Sequence, residues 1–249
     1  MDFSFLKRKS DLSGRINPED ILLRKKNADP LYQEKFKALR AKFEYKIDRM
    51  NVKIVAVTSA IAGEGKTTTC GNLAIDLAAT GRKRVLLIDL DLRKSDLARS
   101  FNISGHSGMS EYLRGSASSQ EIVRNSVVPG LSIIPAGGVT QTPGDLLNGE
   151  RFRAFLKGVR DQFDVVLLDT PPILPVADTL SLRDQVDRFL FIMRVGFTPY
   201  KMFAEAVGEV GEKNLIGVVL NGVEPKSEKY YERYYGAYYR KITEKEPVA

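Results

Sequence analysis

The stretch "VKIVAVTSAIAGEGKTTT", Val52–Thr69, decides the fold of this chain. Its first eight residues are mostly apolar and predict a buried strand, and the sequence from Lys66 onward predicts a helix. The turn between them is close to the pattern G-x-x-x-x-G-K-[ST], with Ala60 where the first glycine usually stands. A glycine-rich turn that leads from a strand into a helix N-terminus is typical of a phosphate-binding loop.

Each residue type in this loop has a physical reason to contact phosphate. Gly63 and Gly65 allow the backbone to wrap closely around phosphate oxygens, and successive amides supply the donors. Lys66 adds a cation, and the Thr67 hydroxyl can reach Mg²⁺. The alternative is an ordinary strand-to-helix turn that contains two glycines. The predicted nucleotide-binding residues of the loop are Ala62, Gly63, Glu64, Gly65, Lys66, Thr67 and Thr68.

The rest of the chain alternates apolar strands with helical segments, which predicts a mostly parallel α/β sheet covered by helices on both faces. This is the architecture of a P-loop NTPase. The predicted strands are 52–59, 84–91, 131–137, 163–172, 186–195 and 215–223. The predicted helical segments are roughly 31–48, 66–80, 109–124, 143–161, 175–185 and 199–212.

Acidic residues end two further predicted strands. "VLLIDLDLR" delivers Asp89, Asp91 and Arg93, and "VVLLDTPP" delivers Asp169. Because the carboxyl ends of parallel strands open onto one crevice, we expect these carboxylates to approach a nucleotide held by the loop. Each acid alone could instead be a helix N-cap.

Composition bounds the chemistry and the organisation of the chain. The single cysteine and single histidine among 249 residues argue against a disulfide framework, a His-based triad or a zinc site. The net charge of +7 is concentrated in residues 1–50, which hold 13 Lys and Arg against 8 Asp and Glu. We expect a helical arm at 1–50, an ATP-binding domain at 51–223 and a tail at 224–249. No basic, aromatic patch in the domain suggests nucleic acid.

The tail contains six of the ten tyrosines of the chain within ten residues. Their spacing permits an amphipathic helix that packs on the domain. Gly236 and the interleaved charges of "KYYERYYGAYYRK" instead favour a solvated segment. The tyrosines are Tyr230, Tyr231, Tyr234, Tyr235, Tyr238 and Tyr239.

These motifs together resemble those of the bacterial tyrosine autokinases of capsule and exopolysaccharide synthesis, over roughly residues 30–240. That family lies within the MinD- and ParA-like P-loop ATPases. The resemblance implies a kinase that uses ATP and Mg²⁺ and phosphorylates the six tail tyrosines in another subunit. It implies catalytic roles for Lys66, Asp89, Asp91 and Arg93, metal binding by Thr67, Asp91 and Asp169, and, by analogy with the wider class, an adenine contact from Asn221.

The resemblance also implies partners. "EKFKALR" is similar to the family's Glu-x-x-Arg-x-x-Arg oligomerisation helix through Glu34, Lys37 and Arg40, with Lys37 in place of an arginine. We therefore expect a homo-oligomer, in the form of a ring. With no membrane helix in the sequence, we expect a cytoplasmic protein held at the inner face of the membrane by the cytoplasmic segment of a polysaccharide co-polymerase, which would activate it.

Two other functions share part of this sequence pattern. A MinD- or ParA-like ATPase would have the same motifs, but that class carries a lysine five residues before the loop lysine, where this chain has Ile61. A protein that binds ATP without turnover would not need the full set of acids. The tyrosine cluster favours the kinase over both.

Overall fold

The computed structural model describes residues 30–223, and these form a seven-stranded sheet with helices on both faces. The strands are β1 (Ile54–Ser59), β2 (Val85–Asp89), β3 (Arg124–Asn125), β4 (Leu131–Ile134), β5 (Val165–Asp169), β6 (Arg188–Arg194) and β7 (Leu215–Asn221). The helices are α1 (Pro30–Met50), α2 (Lys66–Ala79), α3 (Leu97–Ser100), α4 (Met109–Arg114), α5 (Ser119–Ile122), α6 (Pro143–Asn148), α7 (Glu150–Arg160) and α8 (Tyr200–Val210).

The strand order is β3-β4-β2-β5-β1-β6-β7, and all neighbouring strands are parallel except β3, which pairs antiparallel with β4. The predicted mostly parallel sheet is therefore confirmed. Because β1, β2 and β5 are parallel neighbours, their carboxyl ends lie side by side at one edge of the sheet.

The two faces of the sheet bury two separate apolar clusters. Along β1, Ile54 and Ala56 pack into one cluster and Val55 and Val57 into the other. Side chains of a strand point alternately to opposite faces, so a strand buried on both sides must be apolar throughout. This is why the predicted strands contain continuous apolar runs rather than an alternating pattern.

Helix α1 packs on the domain through apolar residues that recur every four positions. Phe43 and Ile47 are buried in the same cluster as Leu73 and Leu77 of α2, and Leu39 is partly buried beside them. Lys46 also donates a hydrogen bond to the carbonyl of Ile216 at 2.6 Å. Residues 30–50 are thus part of the folded body.

Three predicted helical segments differ from the observed structure. Segment 109–124 divides into α4, α5 and the edge strand β3, because Gly115 takes a φ of 85° and ends α4. Segment 143–161 is interrupted at Gly149, which has an extended backbone. Segment 175–185 contains a 3-10 helix, Ala177–Leu182, in place of an α-helix. Within residues 30–223, no helix is long and apolar enough to cross a bilayer.

Asp187 joins the start of β1 to the turn before β6. Its carboxylate accepts hydrogen bonds from the amides of Lys53 and Ile54 at 2.8 and 2.9 Å, and it pairs with Arg160 at 2.6 Å. Burial acts to raise the pKa of Asp187, but the bonds from Arg160 and the two amides outweigh burial and lower it. The carboxylate therefore stabilises the fold when it is ionised.

We predict that Asp187→Asn lowers the free energy of unfolding at pH 7 by about 2 kcal/mol, because charge-assisted hydrogen bonds are lost. A folded pKa below the unfolded value of about 3.9 means that this stabilisation is complete above that value and disappears as the pH falls through the folded pKa. Urea unfolding across this pH range checks the prediction. Asp184→Asn, an exposed control in the same turn, should change stability by less than about 0.5 kcal/mol.

Candidate active site

The connection from β1 to α2 has the geometry of a phosphate-binding loop. Gly63 and Gly65 have φ angles of 81° and 90°, in the left-handed region that favours glycine. A Cβ at Gly65 would lie 2.2 Å from the side-chain nitrogen Nδ2 of Asn221, so a side chain there would collide with Asn221. The loop thereby leads directly into α2, whose free N-terminal amides and dipole favour an anion.

Lys66, the first residue of α2, lies among carboxylates. Burial lowers the pKa of its ammonium group, and the negative charges of Asp169, Asp91 and Glu64 act in the opposite direction. The cation is thus held in a partly desolvated position beside the loop. A cation in such a place interacts strongly with phosphate oxygens because little water screens it.

Asp89 and Asp169 lie opposite each other at the ends of the adjacent strands β2 and β5. Both are buried, with 1% and 3% of their surface exposed. Burial, followed by the charge of Asp169, raises the pKa of Asp89 well above its usual value. Burial also raises the pKa of Asp169, to about 7, although the Thr67 hydroxyl and Lys66 act to lower it. Two neighbouring carboxyl groups with raised pKa values are typical of a functional site.

The residues present fit a nucleotide-bound Mg²⁺. Oδ1 of Asp169 is buried without a hydrogen-bond partner among residues 30–223, whereas both oxygens of Asp89 accept bonds, from the amide of Asp91 at 3.0 Å and the hydroxyl of Ser95 at 2.6 Å. No three His, Cys, Asp or Glu side chains in this part of the chain form a metal cage. Mg²⁺ in nucleotide sites needs only one or two carboxylates, because phosphates and waters complete its shell.

Asp91 accepts hydrogen bonds through only one of its carboxylate oxygens among the described residues. One of its oxygens accepts from the amides of Arg93 and Lys94 at 3.3 and 2.9 Å, which caps the turn after β2. Its charge still acts on Lys66 and Asp169. The structure therefore gives Asp91 a capping role besides any contact with a metal-bound water.

Arg93 contacts a carboxylate that sequence reasoning did not assign to the site. Its Nε and Nη2 donate to the two oxygens of Asp178 at 2.7 and 3.3 Å. Asp178 is buried and belongs to the 3-10 helix Ala177–Leu182. The pair ties the turn after β2 to the segment after β5. Asp178 ends "DTPPILPVAD", which begins at the strand-end acid Asp169, and this short separation was the available signal.

Glu64 has its side chain inside the protein rather than toward a nucleotide. The carboxylate is fully buried and accepts hydrogen bonds from the amides of Ile61 and Arg194 at 2.8 and 3.2 Å and from the hydroxyl of Thr198. The loop is thereby fastened to the turn between β6 and α8. Nothing in the sequence pattern marked Arg194 or Thr198, because these contacts span 130 and 134 positions.

Asn221 at the end of β7 also braces the loop. Its side-chain nitrogen donates to the carbonyl of Glu64 at 2.8 Å, and its oxygen accepts from the amide of Gly222 at 2.9 Å. Arg194 completes this side, since Nη1 donates to the carbonyl of Gly63 at 3.2 Å and the guanidinium lies over the ring of Phe197. An adenine contact from Asn221 stays a prediction, and its visible role is to support the loop.

Ile61 lies partly buried against the apolar cluster of one sheet face. Its amide donates to the Glu64 carboxylate at 2.8 Å, and its carbonyl accepts from the Ser59 hydroxyl at 2.7 Å. The position at which related ATPases carry a cation is thus a packed apolar residue here.

The predicted oligomerisation residues form ion pairs within α1. Lys37 contacts Glu34 at 2.6 Å, and both side chains are largely exposed. Arg40 contacts Glu44 at 2.9 Å, and Glu44 also pairs with Arg82 at 3.2 Å. The Glu34–Lys37 pair is exposed and contributes little to stability, whereas the Arg40–Glu44 pair is largely buried. Oligomerisation through these residues stays a prediction. The six predicted phosphoacceptor tyrosines lie outside the described residues.

We predict that Gly65→Ala weakens ATP binding by at least about tenfold, because the new methyl group would collide with Asn221 and distort the loop. Gly81→Ala is a matched control: Gly81 also has a positive φ, 69°, but a Cβ there would contact nothing within 4 Å. The control should lose about 1 kcal/mol of stability and keep its affinity. Titration with a fluorescent ATP analogue, combined with thermal unfolding, checks both. Equal affinities for the two variants would contradict the prediction.

Comparison with known proteins places this site in a family. The model of the AAA domain matches residues 52–189. The chain is 30% identical to the tyrosine-protein kinase ptk of Acinetobacter johnsonii over 84% of its own length, but it spans only 29% of that relative, and about a third of other long relatives. It is 33% identical to the tyrosine-protein kinase CpsD of Streptococcus agalactiae, over 83% of this chain and 89% of that one.

Solved structures agree with the sequence relatives. The kinase domain of the Escherichia coli tyrosine kinase ETK superposes with a TM-score of 0.76 at 30% identity, over 90% of this chain and 88% of that one. The septum site-determining protein MinD of Pyrococcus horikoshii, at 18% identity and a TM-score of 0.57, shares the fold alone. This chain therefore belongs to the family of bacterial tyrosine-protein kinases that are built on an AAA-type P-loop domain.

Proposed function

We propose that this chain is an ATP-dependent protein-tyrosine kinase that phosphorylates the tyrosines of the segment 229–241 in a neighbouring copy. The observation that supports this most is the convergence of Lys66, Asp89 and Asp169 at one edge of the sheet, beside a phosphate-binding loop. The six tyrosines supply acceptor hydroxyls within the same chain.

Phosphoryl transfer requires positioning and charge stabilisation more than covalent help from the protein. In this proposal the loop amides of 62–68 and Lys66 bind the phosphates of ATP. Thr67, Asp91 and Asp169 would hold Mg²⁺. The ion, when bound, neutralises the charge that develops on the transferring group. The partnerless Oδ1 of Asp169 is the oxygen best placed for this role.

Asp89 would orient the incoming tyrosine and accept its proton. Burial raises the pKa of Asp89, which makes its carboxylate a stronger base. The assignment of this role to Asp89 rather than Asp91 follows the family resemblance. Arg93, through its pair with Asp178, would hold the turn that carries both acids in place.

Partners and location form a second part of the proposal. We expect a homo-oligomer, a ring, formed through Glu34, Lys37 and Arg40, so that the tail of one copy reaches the crevice of the next. The cytoplasmic segment of a membrane polysaccharide co-polymerase would activate the kinase and hold it at the inner face of the membrane. Its role would be to regulate capsule or exopolysaccharide synthesis and export. No nucleic acid is expected as a partner.

A MinD- or ParA-like ATPase is the alternative function, and the shared fold is the observation in its favour. Ile61 disfavours it, since a partly buried isoleucine supplies no cation to a partner's nucleotide. The two functions differ in product. The kinase transfers phosphate to tyrosine, whereas the ATPase releases it.

We predict that the purified protein, incubated with Mg-ATP, gains phosphotyrosine within 229–241. Lys66→Met should lose at least about a hundredfold in rate, because the phosphates lose their cation. A mixture of two variants tests transfer between copies. Lys66→Met is the inactive substrate with an intact tail, and a variant with Phe at all six tail tyrosines is the active enzyme without acceptors. Phosphorylation of the Lys66→Met tail in this mixture is the expected result, measured by mass spectrometry.

Tyr200→Phe is the matched control for the tail variant, since Tyr200 is the most exposed tyrosine described in the body, at 75%. It should leave phosphorylation unchanged. Release of free phosphate without any phosphotyrosine would favour the ATPase instead. Phosphotyrosine found only at body positions would refute the role of the tail.

A further inference from the structure

A cavity of about 410 Å³ opens at the amino-terminal edge of the sheet. Ile54, the first residue of β1, lines it, whereas Ser59 at the other end of β1 precedes the phosphate loop. A rise of about 3.3 Å per residue puts the two ends of β1, and so the cavity and the loop, roughly 17 Å apart. Its volume lies within the range of small-molecule sites, about 300–1,000 Å³.

One wall of the cavity is cationic. Arg153, Lys157 and Arg160 line it from α7, at spacings of four and three residues that put them on one side of the helix. Arg160 is already paired with Asp187 at 2.6 Å. Arg153 and Lys157 are exposed and form no ion pair within residues 30–223. Two uncompensated cations on neighbouring turns suit a group with a double negative charge.

Two other residues that line the cavity, Asp184 and Gln185, carry hydrogen-bond acceptors. Asp184 contributes an exposed carboxylate, and Gln185 a side-chain oxygen. The Gln185 nitrogen donates to the carbonyls of Leu147 and Ser181 at 2.9 and 2.8 Å, which fixes the amide orientation. Its oxygen is buried and has no partner in the described part of the chain. The exposed Asp184 carboxylate can accept from a ligand hydroxyl directly, whereas the buried Gln185 oxygen would gain a donor only if its side chain shifted toward the cavity.

We propose that this cavity binds a phosphorylated sugar of hexose size. The phosphate would contact Arg153 and Lys157, and the sugar hydroxyls would donate to Asp184 and, after a small shift of its side chain, to the Gln185 oxygen. Inorganic phosphate would leave the acceptors of Asp184 and Gln185 without donors, and an uncharged sugar would leave the two cations without a negative partner. The site is separate from the nucleotide crevice and does not depend on kinase activity.

Isothermal titration of the full chain with glucose 6-phosphate and with glucose 1-phosphate tests this proposal. Saturating Mg-ADP is present throughout so that the phosphate loop is occupied. Inorganic phosphate and glucose are titrated under the same conditions. The variants are Arg153→Glu, Lys157→Glu and Asp184→Asn, and the matched control is Lys201→Glu, which makes the same charge change on the exposed side of α8.

We expect at least one hexose phosphate to bind, with phosphate and glucose each about tenfold weaker or more. Arg153→Glu and Lys157→Glu should weaken binding at least about tenfold, and Lys201→Glu should leave it unchanged. Asp184→Asn should weaken the binding of the hexose phosphate but not the binding of inorganic phosphate. The proposal is overturned if neither hexose phosphate binds, if inorganic phosphate binds as tightly, or if Lys157→Glu and Lys201→Glu behave alike.

Discussion

The parallel register of β2 and β5 is the constraint on which the site depends. It pairs Asp89 with Asp169 at the carboxyl ends of adjacent strands and leaves both acids buried. Burial removes hydration from both carboxylates, and the charge of Asp169 adds to the effect on Asp89, which explains their raised pKa values. Lys66 at the start of α2 offsets part of this cost. The domain thus holds negative charge that a bound divalent cation would relieve.

The loop itself is kept in shape by contacts from distant strands. The carboxylate of the loop residue Glu64 accepts hydrogen bonds from the Arg194 amide and the Thr198 hydroxyl. Asn221, at the end of β7, donates to the Glu64 carbonyl. Loops that bind phosphate must present their amides in a fixed arrangement, because ordering them at the moment of binding would cost conformational entropy. Strands β6 and β7 therefore contribute to the site without supplying an obvious catalytic group.

The fold alone does not distinguish a kinase from a positioning ATPase, since both are built on the same sheet and loop. The distinction lies in local chemistry. Ile61 packs against the core at the position where a lysine is expected in a MinD- or ParA-like ATPase, and the tyrosine cluster would supply the acceptors that the proposed kinase requires. Identity to tyrosine-protein kinases at 30% or more over most of the chain agrees with this local difference.

The sequence by itself determined the parallel sheet, the loop from β1 into α2 and the acids at the strand ends, because apolar runs and glycine spacing are local signals. It failed where Gly115 and Gly149 divide predicted helices. Only the tertiary structure determined the long-range side-chain contacts that support the site, which are Glu64 with Thr198 and Arg93 with Asp178. These contacts join residues 85 to 134 positions apart, and no local pattern specifies which distant side chain the folded sheet brings into reach.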